Sequence, residues 1–482
     1  MAKFLLELVS PDELQKMHDT SIRILEQIGM KVHSEEVLAI IGGQEGISVN
    51  RDNGVVRFSE KAIMEAVDKT PDTFSIYGRG DLPSSKVTFG KGELYAQAIP
   101  GELYWVEPRE ASRREGRWED FNKSVLVADA LPNIAIVGSM VQPAEVPIEV
   151  QDIHLHAELA KRTVKPIRSW IYNRKSARYI IELFKVLAGG SSELRKRPLT
   201  IYAVEPITPL QLSNEALEVT LEFINAGIPV SIGPIPQAMA TGPVTKAGNV
   251  SLGNAEILGT LTIIQTIVPG APVMYYNNTS TLDPRTMNLV DTSPEQCLMG
   301  VATVELAKRY KMPAGVNFGL SDSKTPDGQA GMEKGITAIL GALAGVDLFG
   351  GMGISGIDQG FSLPQLIFDD EIIGFVKKFR KGMRIDEETL AYEAIERVGI
   401  GGNFLVDDHT LTHWRDEIWI PRLFDRDNWG VWTSAGAKTL LDRAIDLQEE
   451  ILDENTLKWL DEDKQRELDK IVASAEREIL KK

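Results

Sequence analysis

The sequence predicts an α/β fold: a (β/α)8 TIM barrel, with an N-terminal α/β segment before it and a helical C-terminal extension after it. From about residue 93 onwards, short apolar runs alternate with helical patterns, and eight such pairs end near residue 382. Alternating βα units imply a parallel sheet with right-handed crossovers. A barrel of eight such units typically takes about 250 residues. A doubly wound open sheet is the alternative, because periodicity alone does not distinguish it from a barrel.

We expect residues 1–90 to form the N-terminal α/β cap segment. Ser10 precedes the first helical pattern as an N-cap, Pro11 takes the first helical position, and Glu13 completes a capping box. Gly29 is expected to end this helix. A short strand and a further helix follow in "GVVRFSEKAIMEAV". This segment is predicted to be a cap or an interface, and not the seat of chemistry.

Residues 91–382 carry the predicted barrel. Its strands are short apolar runs, at residues 94–99, 133–141, 166–172, 199–204, 229–235, 272–278, 313–320 and 345–351. A helical pattern follows each strand, and the last of these is "LPQLIFDDEIIGFVKKFRKG". Residues 383–482 are predicted to form the helical C-terminal extension, whose charged last helix has a solvated face.

The composition indicates a globular cytoplasmic protein. Hydrophobic residues make up 43% and charged residues 25% of the 482 residues, and both values are ordinary. The net charge is −17 without a basic stripe, so nucleic acid is not an expected partner. Cys297 is the only cysteine, which fits a reducing compartment, and we expect it to be a buried small hydrophobe. Neither a signal peptide nor an apolar run of about 20 residues is found, so no membrane contact is expected.

A glycine pattern near the end of the barrel has the spacing of a dinucleotide-binding turn. Gly351, Gly353 and Gly356 match GxGxxG, which requires a first strand, its helix and an acid that closes the second strand. Here the glycines follow the eighth strand, and the acids at 369–371 lie inside a helical pattern. We therefore expect no nucleotide. Glycines at a barrel mouth instead permit close approach of a ligand to the backbone.

The histidines do not form a recognisable metal site. His154 and His156 are two residues apart in a helical pattern, where they face different ways. His409 and His413 are four apart, but the glutamate of HExxH is missing. Thr412 also replaces the glycine of the cobalamin-ligating DxHxxG pattern that begins at Asp407. We expect no tightly bound metal, and no corrinoid carried by this chain.

The ends of the predicted strands carry aromatic side chains, amides and one firm carboxylate, without an evident nucleophile–base pair. Such a mouth suits a cation held by aromatic faces better than it suits hydrolysis or proton abstraction. The alternative is that these aromatic side chains merely fill the barrel. The residues are Gln97, Gln142, Trp170, Tyr172, Glu205, Pro234, Tyr275, Tyr276, Asn277, Asn278, Asn317, Phe349, Gly350 and Gly351.

Three long segments resemble the signature segments of the trimethylamine methyltransferase superfamily. They are residues 233–276, residues 319–335 and "GGNFLVDDHTLTHWRDEIWIPRLFDR" at 401–426. The resemblance implies a (β/α)8 barrel that moves a methyl group from an amine to the Co(I) of a separate corrinoid protein docked over the mouth. The cofactor implied is cob(I)alamin supplied by that partner.

One departure from the family affects the expected substrate. The archaeal trimethylamine enzymes carry pyrrolysine, whereas this sequence contains only the standard twenty residues. Members without pyrrolysine resemble demethylases of quaternary amines such as glycine betaine, proline betaine or carnitine. A quaternary ammonium already leaves as a neutral amine, so the enzyme needs mainly to orient the N–CH3 bond and exclude water. The resemblance therefore favours a betaine-type quaternary amine.

Under this interpretation, the residues at the mouth take the following roles. Trp170, Tyr172, Tyr275 and Phe349 would cage the cation, Glu205 would add charge, and Gln97 or Asn317 would orient the polar end of the substrate. Gly351 and Gly353 would line the substrate site, with Asp358 and Gln359 beyond them, and Arg168 could anchor a carboxylate. The loop at 401–415 would contact the corrinoid partner through Asn403, Asp408 and His409.

Two other functions remain open at this point. One is a non-catalytic barrel that binds small cations and regulates methyl metabolism. The other is a metal-dependent barrel hydrolase, which the placement of the histidines disfavours. The N-terminal segment and the helical extension offer material for an interface, so we expect a homo-oligomer.

Overall fold

The computed structural model describes residues 6–80, 82 and 85–480. The elements that precede the barrel are α1 (Pro11–Arg23), a π-helical turn (Ile24–Ile28), β1 (Met30–Val32), α2 (Glu35–Ile41), β2 (Ile47–Asn50), β3 (Val55–Phe58), α3 (Glu60–Lys69), β4 (Phe74–Tyr77) and β5 (Lys86–Phe89). Ser10 and Glu13 form the predicted capping box of α1. Gly29, with φ of 85°, ends the π-helical turn that continues this helix.

The barrel follows, built from eight strands with helices and short extra strands between them. Its elements are β6 (Tyr95–Ala98), β7 (Tyr104–Glu107), β8 (Ser112–Glu115), α4 (Trp118–Ala130), β9 (Ile134–Gly138), α5 (Ile148–Arg162), β10 (Ile167–Arg168), α6 (Arg174–Ala188), α7 (Ser191–Lys196), β11 (Tyr202–Val204), β12 (Gln211–Leu212), α8 (Asn214–Ala226), β13 (Val230–Ile232), β14 (Gln237–Ala238), α9 (Lys246–Ile267), β15 (Val273–Tyr276), β16 (Ser280–Leu282), β17 (Leu289–Val290), α10 (Pro294–Arg309), β18 (Ala314–Val316), α11 (Gly328–Ala344), β19 (Leu348–Met352) and α12 (Leu363–Lys381).

Eight of these strands form one parallel sheet in the order β10-β9-β6-β19-β18-β15-β13-β11. The two end strands of the sheet, β10 and β11, also lie close to each other. The hydroxyl of Thr200, just before β11, donates to the carbonyl of Ile167 in β10 over 2.8 Å. The sheet is therefore a nearly closed barrel. Each predicted strand corresponds to one of the eight and is followed by its predicted helix, so the (β/α)8 prediction is confirmed. The open-sheet alternative is wrong, since the sheet curves back to meet its own edge.

Helix α9 is buried on every side from residue 249 to residue 265. A helix that is apolar all round lies inside a protein, and here the N-terminal segment covers its outer face. The Ser21 hydroxyl of α1 donates to the carbonyl of Ser251 over 2.8 Å. A Cβ at Gly259 would lie only 2.4 Å from the sulfur of Met30, so the contact requires glycine. The segment thus packs on the side of the barrel.

The chain after the barrel is helical, with α13 (Glu387–Leu390), α14 (Tyr392–Val398), α15 (Asp408–Glu417), α16 (Trp429–Ser434), α17 (Leu440–Glu454) and α18 (Glu462–Ile479). Helix α18 lies against α5 and α6, where Glu476 accepts a hydrogen bond from His154 at 3.0 Å. It buries Leu468, Val472 and Ala475, and its charged residues face solvent. Among the described helices, none combines the length and the apolarity that crossing a membrane requires.

Candidate active site

A cavity of about 210 Å³ opens at the carboxyl ends of the barrel strands. This end of a (β/α)8 barrel is where ligands bind, because the loops that follow the strands converge there. Side chains and backbone of the strands themselves form part of its wall: Gln97, Arg168, Ala203, Ser231, Tyr276 and Gly350. The cavity is small enough to enclose a compact ligand.

Two loops cover the mouth. The first is the antiparallel hairpin β16–β17, which follows the sixth barrel strand and is held by β14 at its other edge. It contributes Ser280 and Asp291 to the cavity. The second follows the eighth strand and contributes Ile354 and Asp358. Ile357 in this loop has φ of 63°, which is strained for a β-branched residue and is typical of functional loops.

Polar contacts fix the inner wall. Arg168 is buried, and its Nη1 donates to Oε1 of Gln97 over 2.9 Å. The Tyr276 hydroxyl donates to Oδ1 of Asn317 over 3.1 Å. A Cβ at Gly350 would lie 2.4 Å from that hydroxyl, so only glycine leaves room for it. These side chains are therefore held in one arrangement before any ligand arrives.

Carboxyl groups dominate the electrostatics of the cavity. Burial raises the pKa of Glu205 to about 7; Asp358 adds to this effect and Arg168 opposes it. Burial likewise raises the pKa of Asp291 to about 8. Glu102, which lies beside Asp358 and hydrogen-bonds to it, has a pKa raised to about 9, chiefly by burial. These groups resist ionisation in the free protein, and a cation in the cavity would favour their charged forms.

Several buried oxygen atoms of the cavity wall have no hydrogen-bond partner among the described residues. They are Oδ1 of Asn278, Oγ1 of Thr279, Oγ of Ser280, Oδ2 of Asp291 and Oε1 of Gln296. Buried polar atoms without a partner are costly, so a cluster of them around a cavity points to a ligand that supplies the missing contacts. The two amide oxygens can only accept, and so does Asp291 once it is ionised, so these three groups favour a ligand with positive charge, whereas the two hydroxyl groups can also donate.

Five of the residues predicted for the substrate site do line the cavity. They are Gln97, Trp170, Glu205, Asn317 and Gly351. They come from five different barrel strands or the loops after them, and the closure of the barrel brings them together. Their role in binding substrate stays a prediction.

Three predicted aromatic residues lie elsewhere, which corrects the expected cage. The Tyr275 hydroxyl donates to Oδ1 of Asn254 on α9 over 2.9 Å, so its side chain points out of the barrel. Phe349 points towards α11, where a Cβ at Gly341 would lie 2.4 Å from its ring. The Tyr172 hydroxyl donates to a side chain of α5. Successive strand residues alternate between faces, so their neighbours point inward instead.

Gly353 also lies outside the cavity wall. Its N–H donates to Oδ2 of Asp369 over 2.7 Å, and the space beside it is filled by Phe361. Asp369 is one of the acids that the dinucleotide pattern would use for a ribose. It is buried in α12 and pairs with Lys334 at 2.8 Å, so it is committed to the fold.

The sequence did not point to several residues that line the cavity, above all Asp291, Thr279, Ser280 and Gln296. They lie on or beside the β16–β17 hairpin. The Asp-Pro of its turn, "LDPRTMN", is the sequence signal from which this hairpin could have been predicted. Tyr276 and Asn278 fell within the strand end that was singled out. Sequence could not decide which of its adjacent residues face inward.

The histidines and the cysteine lie outside the described wall of the cavity. His156 is fully buried, its Nδ1 lies 2.7 Å from the carbonyl of Asp152, and burial lowers its pKa to about 4. Cys297 is only partly buried, which corrects the expectation of a buried thiol, and burial raises its pKa. No group of three or more His, Cys, Asp or Glu residues suited to a metal occurs in the described part of the chain.

The residues predicted to contact a corrinoid partner, Asn403, Asp408 and His409, do not line the cavity. The segment that contains them is anchored through the carbonyl of Asp416, which accepts from Lys378 near the end of α12. Barrel helices run antiparallel to the strands, so the end of α12 lies away from the mouth. Their contact with a partner stays a prediction.

Comparison with known proteins identifies relatives over nearly the whole chain. The profile of the family described as trimethylamine methyltransferase (MTTB) matches residues 3–479. Trimethylamine methyltransferase MttB of Desulfitobacterium hafniense strain DCB-2 is 30% identical, over 97% of this chain and 94% of that protein. Glycine betaine methyltransferase of Desulfitobacterium hafniense strain Y51 is 30% identical, over 90% of this chain and 89% of that protein.

The MttB protein of Methanosarcina barkeri is 31% identical, over 98% of this chain and 96% of that protein. Among solved structures, the monomethylamine methyltransferase MtmB of Methanosarcina barkeri is similar in fold. Its TM-score is 0.55 at 11% identity, over 93% of this chain and 89% of that one.

Proposed function

Because this chain belongs to the trimethylamine methyltransferase family, a family of methyltransferases, we propose that it demethylates a quaternary amine. The methyl group goes to the Co(I) of a corrinoid held by a separate protein, which enters the reaction as a second substrate. The breaking C–N bond leaves its electron pair on nitrogen, so a neutral tertiary amine departs while a carbon–cobalt bond forms.

The observation that carries this proposal is the chemistry of the cavity wall. Its unpartnered buried atoms are oxygens, three carboxyl groups line it, and Trp170 and Tyr276 contribute aromatic side chains. Polarised methyl groups of a quaternary ammonium suit such surroundings, because aromatic faces and carboxylates both attract this cation.

The residues present fit a reaction that needs little proton transfer. Histidine, cysteine and lysine are absent from the described cavity wall, and Glu205 in that wall interacts with the charge of Arg168. A quaternary ammonium needs no proton to become a leaving group, since the product amine is already neutral. The protein then has to fix the N–CH3 bond and keep water out, which the hairpin and the loop over the mouth support.

Transfer to a reduced corrinoid tests this function. The protein is mixed with Co(I) cobalamin and a panel of quaternary amines, with and without a carboxylate, and the visible spectrum is followed. Loss of the Co(I) absorption with one amine, matched by one equivalent of tertiary amine, is the expected result. Binding of an amine without transfer, also when the genuine corrinoid protein is supplied, would favour a non-catalytic cation-binding barrel.

We further propose that the protein is a homo-oligomer. The segment after the barrel exposes an unusual set of apolar side chains: Met383, Ile385, Ile400, Leu405 and Val406 are each more than two-thirds exposed. Large exposed apolar surfaces mark interfaces in soluble proteins, and we propose that these side chains belong to one. A second copy is the proposed occupant, and light scattering that gives the monomer mass at micromolar concentration would contradict it.

A further inference from the structure

The charges of the cavity wall narrow the class of quaternary amine, an inference that rests on the proposed function. We infer that the substrate is a quaternary ammonium ion without a carboxylate, either purely alkylated or bearing a hydroxyl group. This departs from the betaine expected from the sequence.

Arg168 is the only cationic side chain in the described wall of the cavity, and it already interacts with a carboxyl group of that wall. Three carboxyl-bearing residues share the wall with it: Glu205, Asp291 and Asp358. The guanidinium is buried, donates to Gln97 over 2.9 Å and interacts with the charge of Glu205. A ligand carboxylate would have to compete with Glu205 for it, inside a wall that is otherwise acidic.

The acceptors of the wall lead to the same class of ligand. Asp291 lines the cavity and is 8% exposed, and its Oδ2 has no hydrogen-bond partner among the described residues. Oδ1 of Asn278 and Oε1 of Gln296 are likewise buried and unpartnered, and the amide nitrogen of Gln296 is committed to the carbonyl of Asn317 at 2.8 Å. The two amide oxygens, and Asp291 once it is ionised, accept from a hydroxyl group or from polarised N–CH3 groups, whereas a carboxylate would be another acceptor placed against them.

Binding of a cation next to Glu205 and Asp291 should also change the protonation of these two carboxyl groups. The pKa of Glu205 is raised to about 7 and that of Asp291 to about 8, chiefly by burial. A cation bound beside them stabilises their ionised forms and releases protons at neutral pH, whereas the two charges of a zwitterion oppose each other in this effect. The charged or titratable groups that face these two carboxyls are Glu102, Arg168, Asp322, Glu333, Lys334 and Asp358.

Calorimetric titration of the ligand-free protein tests the inference without a corrinoid. Choline and glycine betaine share a trimethylammonium group and differ only in CH2OH against carboxylate, and tetramethylammonium has neither. Choline or tetramethylammonium is expected to bind at least about tenfold more tightly than glycine betaine, or about 1.4 kcal/mol. Titration in two buffers of different ionisation enthalpy should show proton release for the cations, and little for the betaine.

Two variants test whether the charge of Asp291 causes this preference. Asp291→Asn keeps the shape of the side chain and removes the charge, so it should lower the preference for choline over betaine towards unity. Glu115→Gln removes one charge from the exposed strand β8, outside the cavity wall, and should leave the preference unchanged. Glycine betaine binding as tightly as choline to the unmodified protein overturns the inference and leaves the proposed function standing. If none of the three ligands binds, the inference is overturned, and the transfer assay with the wider panel of quaternary amines decides the proposed function.

Discussion

The substitution Gly350→Ala adds a single methyl group to the inner wall of the cavity. The added Cβ would lie 2.4 Å from the hydroxyl oxygen of Tyr276, about 1 Å inside van der Waals contact. On one side the ring already packs closely on the backbone of Gly315, where an added Cβ would lie 2.0 Å from it. The tyrosine must therefore move or leave its hydrogen bond to Asn317. Overpacking costs about 1–3 kcal/mol, and the lost hydrogen bond adds about 1 kcal/mol.

The free energy of unfolding, measured by urea denaturation, should therefore fall by about 2–4 kcal/mol, and methyl transfer should fall with it. Gly335→Ala is the matched control, since a Cβ at this position in α11 meets no atom within 4 Å. Alanine should be neutral there or stabilising by up to about 1 kcal/mol. If Gly350→Ala is as stable and as active as the control, Tyr276 is not held as described.

Two further predictions concern buried charge. Lys334→Met should lower the free energy of unfolding by about 3–5 kcal/mol, because it leaves Asp369, which also holds the N–H of Gly353, without its cation; an unchanged urea midpoint would refute this. The raised pKa values of Glu205 and Asp291 mean that the unfolded chain ionises first as pH rises. Their contribution to stability is therefore fully present below the unfolded-state pKa values of about 4, and it is lost progressively as pH rises from there to about 7 for Glu205 and about 8 for Asp291. For Glu205 the loss is at most about 3 kcal/mol, at about 1.4 kcal/mol per pKa unit. Urea titrations at several pH values, with choline reducing the loss, would check the sign.

The barrel could be predicted from the sequence because each of its parts leaves a local signal. Strands buried on both faces read as continuous apolar runs, as at Val273–Tyr276, where every residue is buried. Helices between them begin with caps such as Ser213 and Ser293. Each of these side chains accepts a hydrogen bond from the backbone N–H three residues later in the chain. These signals are independent of the closure of the barrel, so they survive in the sequence alone.

The site was harder to predict, because the inward face of a strand is set by the whole barrel. Tyr275 and Tyr276 are adjacent, chemically alike and both buried, yet one contacts α9 and the other the cavity. A shift of one residue exchanges the two faces, and nothing local distinguishes them. The acidic character of the wall also depends on Asp291. This residue follows the β16–β17 hairpin, far in sequence from the other acidic residues of the wall, and the folded hairpin places it at the mouth.

Methyl transfer from a quaternary ammonium to Co(I) cobalamin, followed by visible spectroscopy with the product amine quantified, tests the central claim most directly. Consumption of Co(I) with formation of one equivalent of tertiary amine, dependent on the protein, is the predicted result. No consumption with any quaternary amine, also in the presence of the genuine corrinoid protein, would contradict it.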